Sequence, residues 1–456
     1  MADTFDAVVI GGGPGGYICA IRCAQLGKKT ALVENRELGG TCLNRGCIPT
    51  KTLLHTAELY SEIKRHGKEL GLNGELSLNF GALADRKDQI IEKLRRGIEA
   101  LVKGRKITLI RETAELTGSK SFRAGTVEYA ADNIVIASGS EPAAIPVPGA
   151  DRPEVLNSDG VLALRDLPGS AVIIGGGVIG VEFAALLSSF GRKVTVIEML
   201  PRILNGMDED ICEAMTRLLK KQGVDVHTGA KVLEIAGGGL CRYEEGGVRK
   251  EAVGDIVIMA VGRRPLTKNL GLEKAGLVSE RGFIPADEGL RTKVSGIYAI
   301  GDVTGKAQLA HVASAQGLIA AANIAGKNAS MTYAVIPACV YTNPEIAGIG
   351  MTETQLIAAG LPYRRGNFPA AANGRSRIMN CTEGFVKILS HKNTGEILGA
   401  HIMAPRASDM IGEIAAAMRA EAVIEELADT IHAHPTINEM IMEAAHDAEG
   451  FCCHKL

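Results

Sequence analysis

Two stretches of the chain share one order of apolar and polar positions. Each begins with a short apolar run, AVVI or AVII, continues through a glycine-rich turn into a segment with apolar residues at helical spacing, and reaches a second apolar run. An acidic residue closes each stretch 23 positions after the first glycine of the turn, Glu34 after Gly11 and Glu198 after Gly175. This order predicts two strand–turn–helix–strand units and therefore two nucleotide-binding domains.

Predicted helices and strands also alternate outside these two units. The proline-rich segment EPAAIPVPGA predicts a crossover into the second unit. From about residue 332, strands mix with amphipathic helices, a combination that suits a subunit interface. The further predicted helices cover 50–66, 85–103, 408–420 and 436–448, and the further predicted strands lie in NIVIASGS, DIVIMAVG, GIYAIGDV and FVKILS.

The composition narrows the class of partner. Lys and Arg number 50 against 52 Asp and Glu, and this balance offers no basic surface to nucleic acid or to an anionic membrane. The first residues lack a charged and apolar signal segment, and no apolar run reaches the length of a bilayer, so the cytoplasm is the expected location. Ten cysteines in 456 residues are too few for a disulfide scaffold. Small molecules or proteins are the expected partners.

Each glycine-rich turn has the spacing G-x-G-x-x-G, which lets the backbone approach a pyrophosphate at a helix N-terminus. The acid that closes the unit then accepts hydrogen bonds from ribose hydroxyls. Glu198 would repel the 2′-phosphate of NADP and favours NAD, whereas Arg202, four residues on, could accommodate that phosphate. Because Glu198 is acidic, we favour NAD over NADP as the second dinucleotide. The glycines are Gly11, Gly13 and Gly16 in the first turn and Gly175, Gly177 and Gly180 in the second.

Cys42 and Cys47 form the candidate redox centre. Two dinucleotides in one chain suggest a tightly held flavin and an exchanging nicotinamide, and a dithiol can exchange their two electrons with a substrate disulfide. A helix start and a nearby positive charge such as Lys51 are the surroundings that lower the pKa of a thiol. A zinc site would need further Cys or His ligands at short spacing, and none follows, so no metal is expected. Two inert core cysteines are the other alternative.

The segment HAHPTINEMIMEAAHD holds the candidate acid/base. His434 precedes a proline, and a turn into a helix could bring the carboxylate of Glu439 to its imidazole. A carboxylate so placed selects the tautomer of the imidazole and stabilises the imidazolium. Polar residues that cap a helix are the alternative interpretation of this segment. The spacing gives His432 and His446 no special role.

These motifs together resemble one family. GGGPGG, GGTCLNRGCIPTK, GGGVIGVE, YAIGD and HAHPTINE follow one another along almost the whole chain, which resembles the FAD-dependent pyridine nucleotide–disulfide oxidoreductases and, within them, the dihydrolipoyl dehydrogenases. The resemblance implies an α/β fold with two Rossmann-like dinucleotide-binding domains and a C-terminal α+β interface domain that forms a homodimer. The implied domains are 1–142 for FAD, 143–265 for NAD, a central segment 266–331 that completes the FAD domain, and 332–456 for the interface.

The resemblance also implies a role for each candidate residue. Cys42 would exchange with the substrate and Cys47 would face the flavin, while His434, oriented by Glu439, would act as acid/base in the partner's site. Lys51 would approach the reactive edge of the flavin, with Glu182 as its ion-pair partner beside the nicotinamide. FAD would be held by Gly11, Gly13, Gly16, Glu34, Ala114, Gly139 and Asp302, with residues 308–311 over the ring, and NAD by Gly175, Gly177, Gly180, Glu198, Val232 and Gly262.

The implied reaction oxidises dihydrolipoamide to lipoamide and passes the electrons to NAD. The dihydrolipoamide would be carried on a lipoyl carrier protein or domain, and that carrier would belong to a 2-oxo acid dehydrogenase complex or to a glycine-cleavage system.

Three other interpretations stay open at this point. The vicinal Cys452 and Cys453 resemble the terminal pair of mercuric reductases, although that family lacks the His-Pro-Thr run found at 434–436. An incidental tail is the favoured interpretation of this pair, and metal binding or a regulatory thiol is the alternative. Glutathione reductases normally read NADPH through arginines where Glu198 stands here. A non-enzymatic, flavin-bearing subunit of a multienzyme complex would need neither the two redox cysteines nor the histidine with its carboxylate.

Overall fold

The computed structural model describes residues 4–455, so the outermost residues of the predicted first and last domains, 1–3 and 456, lie outside it. The strands are β1 (Thr4–Ile10), β2 (Thr30–Val33), β3 (Thr108–Ile110), β4 (Ala114–Gly118), β5 (Ser121–Ala124), β6 (Val127–Ile136), β7 (Ser140–Pro142), β8 (Val155–Leu156), β9 (Ser170–Ile174), β10 (Lys193–Ile197), β11 (Asp225–His227), β12 (Ala230–Ala236), β13 (Leu240–Glu245), β14 (Val248–Val253), β15 (Ile256–Met259), β16 (Arg263–Pro265), β17 (Ile297–Ala299), β18 (Ala338–Val340), β19 (Glu345–Gly350), β20 (Tyr363–Pro369), β21 (Phe385–His391) and β22 (Ile397–Ala404). The helices are α1 (Pro14–Gln25), α2 (Gly40–Arg45), α3 (Cys47–His66), α4 (Phe80–Gly104), α5 (Ser158–Leu162), α6 (Val178–Ser189), α7 (Glu209–Lys221), α8 (Ala310–Ile324), α9 (Glu353–Ala359), α10 (Gly374–Ile378), α11 (Ala407–Arg419), α12 (Ile424–Asp429) and α13 (Glu439–Glu449).

The first glycine-rich unit lies at the centre of a seven-stranded sheet. β2 and β3 continue β1 in parallel on one side, and β6 pairs with β1 in parallel on the other. β17 joins β6 in parallel from far along the chain, while β4 and β5 extend the sheet in antiparallel fashion. The last four residues of β1 are buried, as expected for a parallel strand that is covered on both faces.

The second unit repeats this arrangement in a five-stranded parallel sheet, with the order β11-β10-β9-β15-β8. Gly11 and Gly175 end the first strands of the two units with φ of +109° and +106°. A Cβ at either position would lie 2.2 Å from the carbonyl oxygen of Ala137 or 2.4 Å from that of Ala260, so glycine alone fits both the backbone angle and the space. Both turns therefore bring the chain against the end of the neighbouring strand.

The C-terminal part forms an antiparallel sheet with helices packed on it. Its strand order is β18-β19-β22-β21-β20, and α11 and α13 contribute to one buried apolar cluster with the sheet. Ile388 and Ile402 of the sheet and Ile414 and Ile441 of the helices are fully buried. The cluster is large enough to form a core of its own.

Most predicted elements form where the patterns place them, and three helix starts differ. The helix predicted from residue 50 begins at Cys47. The helix predicted from residue 85 begins at Phe80, because the side chain of Asn79 accepts a hydrogen bond from the amide of Ala82 and caps it there. The helix predicted from residue 436 begins at Glu439, whose carboxylate accepts the amide of Thr436 at 2.7 Å and holds the preceding residues in a turn.

A seven-stranded sheet with a parallel core, a five-stranded parallel sheet and an antiparallel sheet with helices agree with the predicted α/β class. No helix within residues 4–455 is both long and apolar enough to cross a bilayer. The predicted domain boundaries stay predictions.

Candidate active site

One cavity of about 1650 Å³ collects nearly all the predicted cofactor residues. It runs between the two glycine-rich turns, past α3, and is closed on one side by residues 308–311 and by the start of the C-terminal sheet. Gly180 does not line it, because this glycine packs against the carbonyl of Gly175 instead. The predicted residues on its wall are Gly11, Gly13, Gly16, Glu34, Cys42, Cys47, Lys51, Ala114, Gly139, Gly175, Gly177, Glu182, Glu198, Val232, Gly262 and Asp302.

The two glycine-rich turns have room for a pyrophosphate. Gly13 and Gly177 precede α1 and α6 as N-cap residues, and neither helix start receives a side-chain hydrogen bond. A Cβ added at either glycine would meet no protein atom within 4 Å, so the open space lies directly over the unpaired amides of a helix N-terminus. The buried hydroxyl of Ser138, on the cavity wall, has no hydrogen-bond partner among the described residues. These features fit two bound dinucleotides.

Glu34 and Glu198 occupy equivalent positions at the ends of the two units. Each carboxylate accepts the amide of the second glycine of its own turn, Gly12 at 2.7 Å and Gly176 at 2.5 Å. The acids therefore lie beside the turn, at the place where a ribose would follow a pyrophosphate. Arg202 does not line the cavity and forms an ion pair with Glu209 at 2.8 Å.

A polar chain crosses the cavity wall between the two nucleotide units. Arg263 donates to the hydroxyl of Ser140 at 2.7 Å, and that hydroxyl donates to the carboxylate of Asp302 at 2.5 Å. β7 and β16, which carry Ser140 and Arg263, pair with each other in antiparallel fashion. The chain fixes the carboxylate of Asp302 at the position predicted to face the flavin side chain.

Cys42 and Cys47 lie side by side but in unequal surroundings. Cys42 belongs to α2, whereas Cys47 is the first residue of α3 and has Lys51 one turn behind it. A hydrogen bond from Cys42 and, to a smaller extent, the charge of Lys51 lower the pKa of Cys47 to about 7, against the opposing effect of burial. The same hydrogen bond, together with burial, raises the pKa of Cys42 well above its usual value. Of the two thiols, Cys47 is therefore the one that loses its proton first.

Lys51 is held in place from three sides. Its ammonium donates to both carboxylate oxygens of Glu182, at 2.8 and 2.9 Å, and the Glu182 side chain is only 4% exposed. The amide of Tyr341 donates to the same carboxylate at 3.0 Å, and the Lys51 nitrogen lies 4.6 Å from the centre of the Tyr341 ring. Residues from α3, α6 and the C-terminal sheet region thus meet at one ion pair, in which Glu182 is buried and Lys51 is partly exposed.

His434 and Glu439 form the predicted pair. The imidazole Nδ1 donates to Glu439 Oε1 at 2.8 Å, and the side chain of His434 is 79% exposed. Burial raises the pKa of Glu439, but hydrogen bonds from the Thr436 amide and from His434 hold that pKa below its usual value. The pair does not line the cavity of its own chain. The structure therefore assembles the two residues but does not bring them to Cys42 within one subunit.

Several residues of the site went unnoticed in the sequence. Tyr341, Ser140 and Arg263 belong to it, and only the arginine after Gly262 gave a local signal.

At the C-terminus, Cys452 and His454 both bond to the buried Glu443, at 3.1 and 2.6 Å, and burial raises the pKa of Cys452 to about 11. Within residues 4–455 no cluster of three or more Cys, His, Asp or Glu could hold a metal ion.

Known families match the chain over most of its length. Residues 5–317 match the pyridine nucleotide-disulphide oxidoreductase model, and residues 336–445 match the dimerisation domain of the same family. Domains of the first kind bind FAD and NAD, which confirms the predicted cofactors, and the second match supports the predicted homodimer.

Curated relatives and solved structures agree with these matches. A dihydrolipoyl dehydrogenase of Chlamydia trachomatis is 44% identical over 91% of this chain and 90% of its own, and one of Bacillus subtilis is 40% identical over all of both chains. The Cu(II) complex of the HOCl-induced flavoprotein disulfide reductase RclA from Escherichia coli superposes with a TM-score of 0.88 at 32% identity, covering 97% of this chain and 99% of RclA.

LpdA from Mycobacterium tuberculosis gives the same TM-score of 0.88 at 29% identity, over 96% of this chain and 99% of LpdA. The predicted fold class and the predicted resemblance are confirmed by these matches. Matched domains that cover most of the chain, and relatives that align along nearly all of it, show that this protein belongs to the pyridine nucleotide-disulphide oxidoreductase family.

Proposed function

We propose that the protein oxidises dihydrolipoamide to lipoamide and transfers the two electrons to NAD. The observation that carries this proposal is the position of two unequal thiols on the wall of a cavity that both glycine-rich turns also line. The pKa of Cys42 is raised, whereas that of Cys47 is lowered to about 7. The dihydrolipoyl dehydrogenases among the relatives supply the substrate class. The chemistry needs a dithiol that accepts electrons from one side and releases them to the other.

The two cysteines would divide the thiol chemistry. Starting from the Cys42–Cys47 disulfide, a substrate thiolate attacks the sulfur of Cys42, and Cys47 leaves as a thiolate that Lys51 stabilises. The second substrate thiol then attacks the substrate sulfur of the mixed disulfide and releases the sulfur of Cys42, so that lipoamide carries the new disulfide. Two electrons have passed to the protein, and the pair is left as the dithiol.

His434 would accept and return the protons. Each attack needs a thiolate, so the imidazole removes the proton of the substrate thiol and later returns one to Cys42. Glu439 holds the Nδ1–H and stabilises the charged ring, which leaves Nε2 free to face the thiols. Since the pair lies outside the cavity of its own chain, we propose that it acts on the cavity of the second subunit.

The remaining residues would hold the cofactors. Gly11, Gly13 and Glu34 would receive the pyrophosphate and ribose of FAD, and Asp302 its side chain; the second turn and Glu198 would receive NAD. When bound, FAD supplies two-electron transfer between a dithiol and NAD. The Lys51–Glu182 pair lies where the two cofactors would approach each other. A lipoyl carrier, as part of a 2-oxo acid dehydrogenase complex or a glycine-cleavage system, is the proposed partner, and a cytoplasmic location stays a prediction.

One set of assays tests this proposal. The FAD-loaded protein is offered dihydrolipoamide with NAD, glutathione disulfide with NADPH, and mercuric ion with NADPH, and the change in nicotinamide absorbance is followed. We expect turnover with the first pair and at most a small fraction of it with the others. Faster turnover with either NADPH pair would replace the proposed substrate, and a flavin-bearing protein that turns over none of them would contradict an enzymatic role.

A further inference from the structure

A second histidine–carboxylate pair lies beside His434. The side chain of His432 is only 6% exposed; its Nε2 lies 2.8 Å from Glu413 Oε1, and its Nδ1 lies 2.9 Å from the carbonyl oxygen of Thr430. Glu413 belongs to α11, on the far side of the loop from α13. The local spacing indicates no role for His432, because its partner lies 19 positions away on another element.

The two partners of His432 fix its charge. A carbonyl oxygen and a carboxylate can only accept hydrogen bonds, so both ring nitrogens must donate, and a neutral imidazole has only one N–H. The hydrogen bond with Glu413 raises the pKa of His432 against the opposing effect of burial, and the negative charge of Glu439 adds to the shift. The ring is therefore an imidazolium that is held by both nitrogens.

Glu413 also connects this ring to the helix that carries Glu439. Its second oxygen accepts the side-chain amide of Asn438 at 2.7 Å, and Asn438 is the N-cap residue of α13. One carboxylate thus ties the loop before His434 to the residue before Glu439. His434 follows His432 by two residues, and Glu439 directly follows Asn438. The contacts of Glu413 with His432 and Asn438 therefore hold both members of the acid/base pair.

We propose that His432, held as an imidazolium by Glu413, is a positioning residue that sets the geometry and the charge of the His434–Glu439 pair. The inference rests on the proposed function, since the pair must act on thiols for its geometry to matter. The charge contributes because His432 lies close enough to Glu439 to lower the pKa of that carboxyl. A misplaced base should cost turnover rather than substrate binding, because the His432 side chain is too deeply buried to contact a substrate itself.

His432→Gln and Glu413→Gln test this inference. At position 432 glutamine keeps a donor group without the positive charge, and at position 413 it keeps one acceptor oxygen without the negative charge. We expect kcat for dihydrolipoamide oxidation to fall by about 10-fold or more, with KM within about twofold of the wild type. Reduction of ferricyanide by NADH, which needs no thiol exchange, should stay within about twofold. The double variant should lose no more than either single variant, because both changes break one connection.

The matched control is His446→Gln on α13, since His446 is also partly buried but bonds only to the carbonyl oxygen of Ala428, at 2.9 Å. Equal losses in both activities, additive losses in the double variant, or an unchanged kcat would overturn the inference.

A measurement without substrate separates this inference from the proposed function. In protein labelled with ¹³C-histidine, the His432 ring should keep the chemical shifts of an imidazolium at a pH where exposed histidines have become neutral. A His432 ring that is neutral there overturns the inference alone. Failure of the wild-type protein to oxidise dihydrolipoamide overturns the proposed function, and the charge state of His432 is still decided by the spectra.

Discussion

The hydrogen bond between the two redox cysteines can be removed selectively. Cys42→Ala deletes the donor, whereas Cys42→Ser keeps a hydroxyl in its place, and neither variant can form the internal disulfide. In both variants Cys47 stays reduced, and its titration reports its surroundings directly. Because the hydrogen bond from Cys42 is the main cause of the lowered pKa of Cys47, that pKa should differ between the alanine and the serine variant.

The size of the effect follows from the structure. A pKa of about 7 in place of the ordinary 9.0 stabilises the Cys47 thiolate by roughly 3 kcal/mol. At pH 7 about half of Cys47 is then thiolate. We expect Cys42→Ser to keep the titration midpoint close to that of the native surroundings, and Cys42→Ala to raise it by at least about 1 unit, which lowers the thiolate fraction at pH 7 about fivefold.

The assay is an anaerobic pH titration of the FAD-loaded variants, followed by the long-wavelength absorbance that a thiolate beside a flavin produces. Absorbance should appear with rising pH in both Cys42 variants, at higher pH in the alanine form. Cys47→Ser should show none at any pH. Equal midpoints for alanine and serine, or a band that survives in Cys47→Ser, would refute the assignment of the thiolate to Cys47 and of its stabilisation to Cys42.

Three further predictions follow from the cavity and from the buried charges. Glu198→Gln should raise kcat/KM with NADPH relative to kcat/KM with NADH by about 10-fold or more, because the variant removes a negative charge near the 2′-phosphate. Adding Glu209→Gln, which frees Arg202 from its ion pair, should raise this ratio further, whereas an unchanged ratio would argue against Glu198 as the residue that selects NAD. Gly13→Ala should weaken FAD binding by about 10-fold or more without changing the Tm of the FAD-free protein, since its Cβ meets no protein atom; Gly97→Ala, equally unobstructed on α4, is the control, and retained FAD affinity would place the pyrophosphate elsewhere. Lys387→Met should lower the free energy of unfolding by about 3–5 kcal/mol, because the buried Asp208 loses its partner; urea titration checks this beside the exposed control Lys392→Met, and a loss below about 1 kcal/mol would contradict it.

The sequence predicts those parts of the site that depend on local patterns. Gly11 and Gly175 indicate the two turns, because only glycine fits the backbone there. Cys47 and Lys51 can be paired from the sequence, because they lie one turn apart on the same helix. Glu34 and Glu198 follow from the fixed length of the unit. In each case the physical constraint acts between residues that are close in the chain.

Contacts between distant segments could not be predicted in this way. The amide of Tyr341 reaches Glu182 across 159 positions, and nothing in its own neighbourhood marks it as a residue of the site. The local pattern likewise indicates no role for His432, because its partner Glu413 lies on another helix that reaches it only in the folded chain. The apolar spacing predicts the start of α13 three residues early, because the turn before the helix depends on the carboxylate of Glu439.

One anaerobic labelling experiment tests the central claim most directly. The oxidised, FAD-loaded protein is mixed with one equivalent of dihydrolipoamide without NAD, quenched with a thiol-alkylating reagent, and digested for mass spectrometry of each cysteine peptide. The account predicts new alkylation at Cys42 and Cys47, matched by one equivalent of lipoamide, and its reversal when NAD is added before the quench. New alkylation confined to Cys452 and Cys453, or lipoamide formed with no change at Cys42 and Cys47, would contradict it.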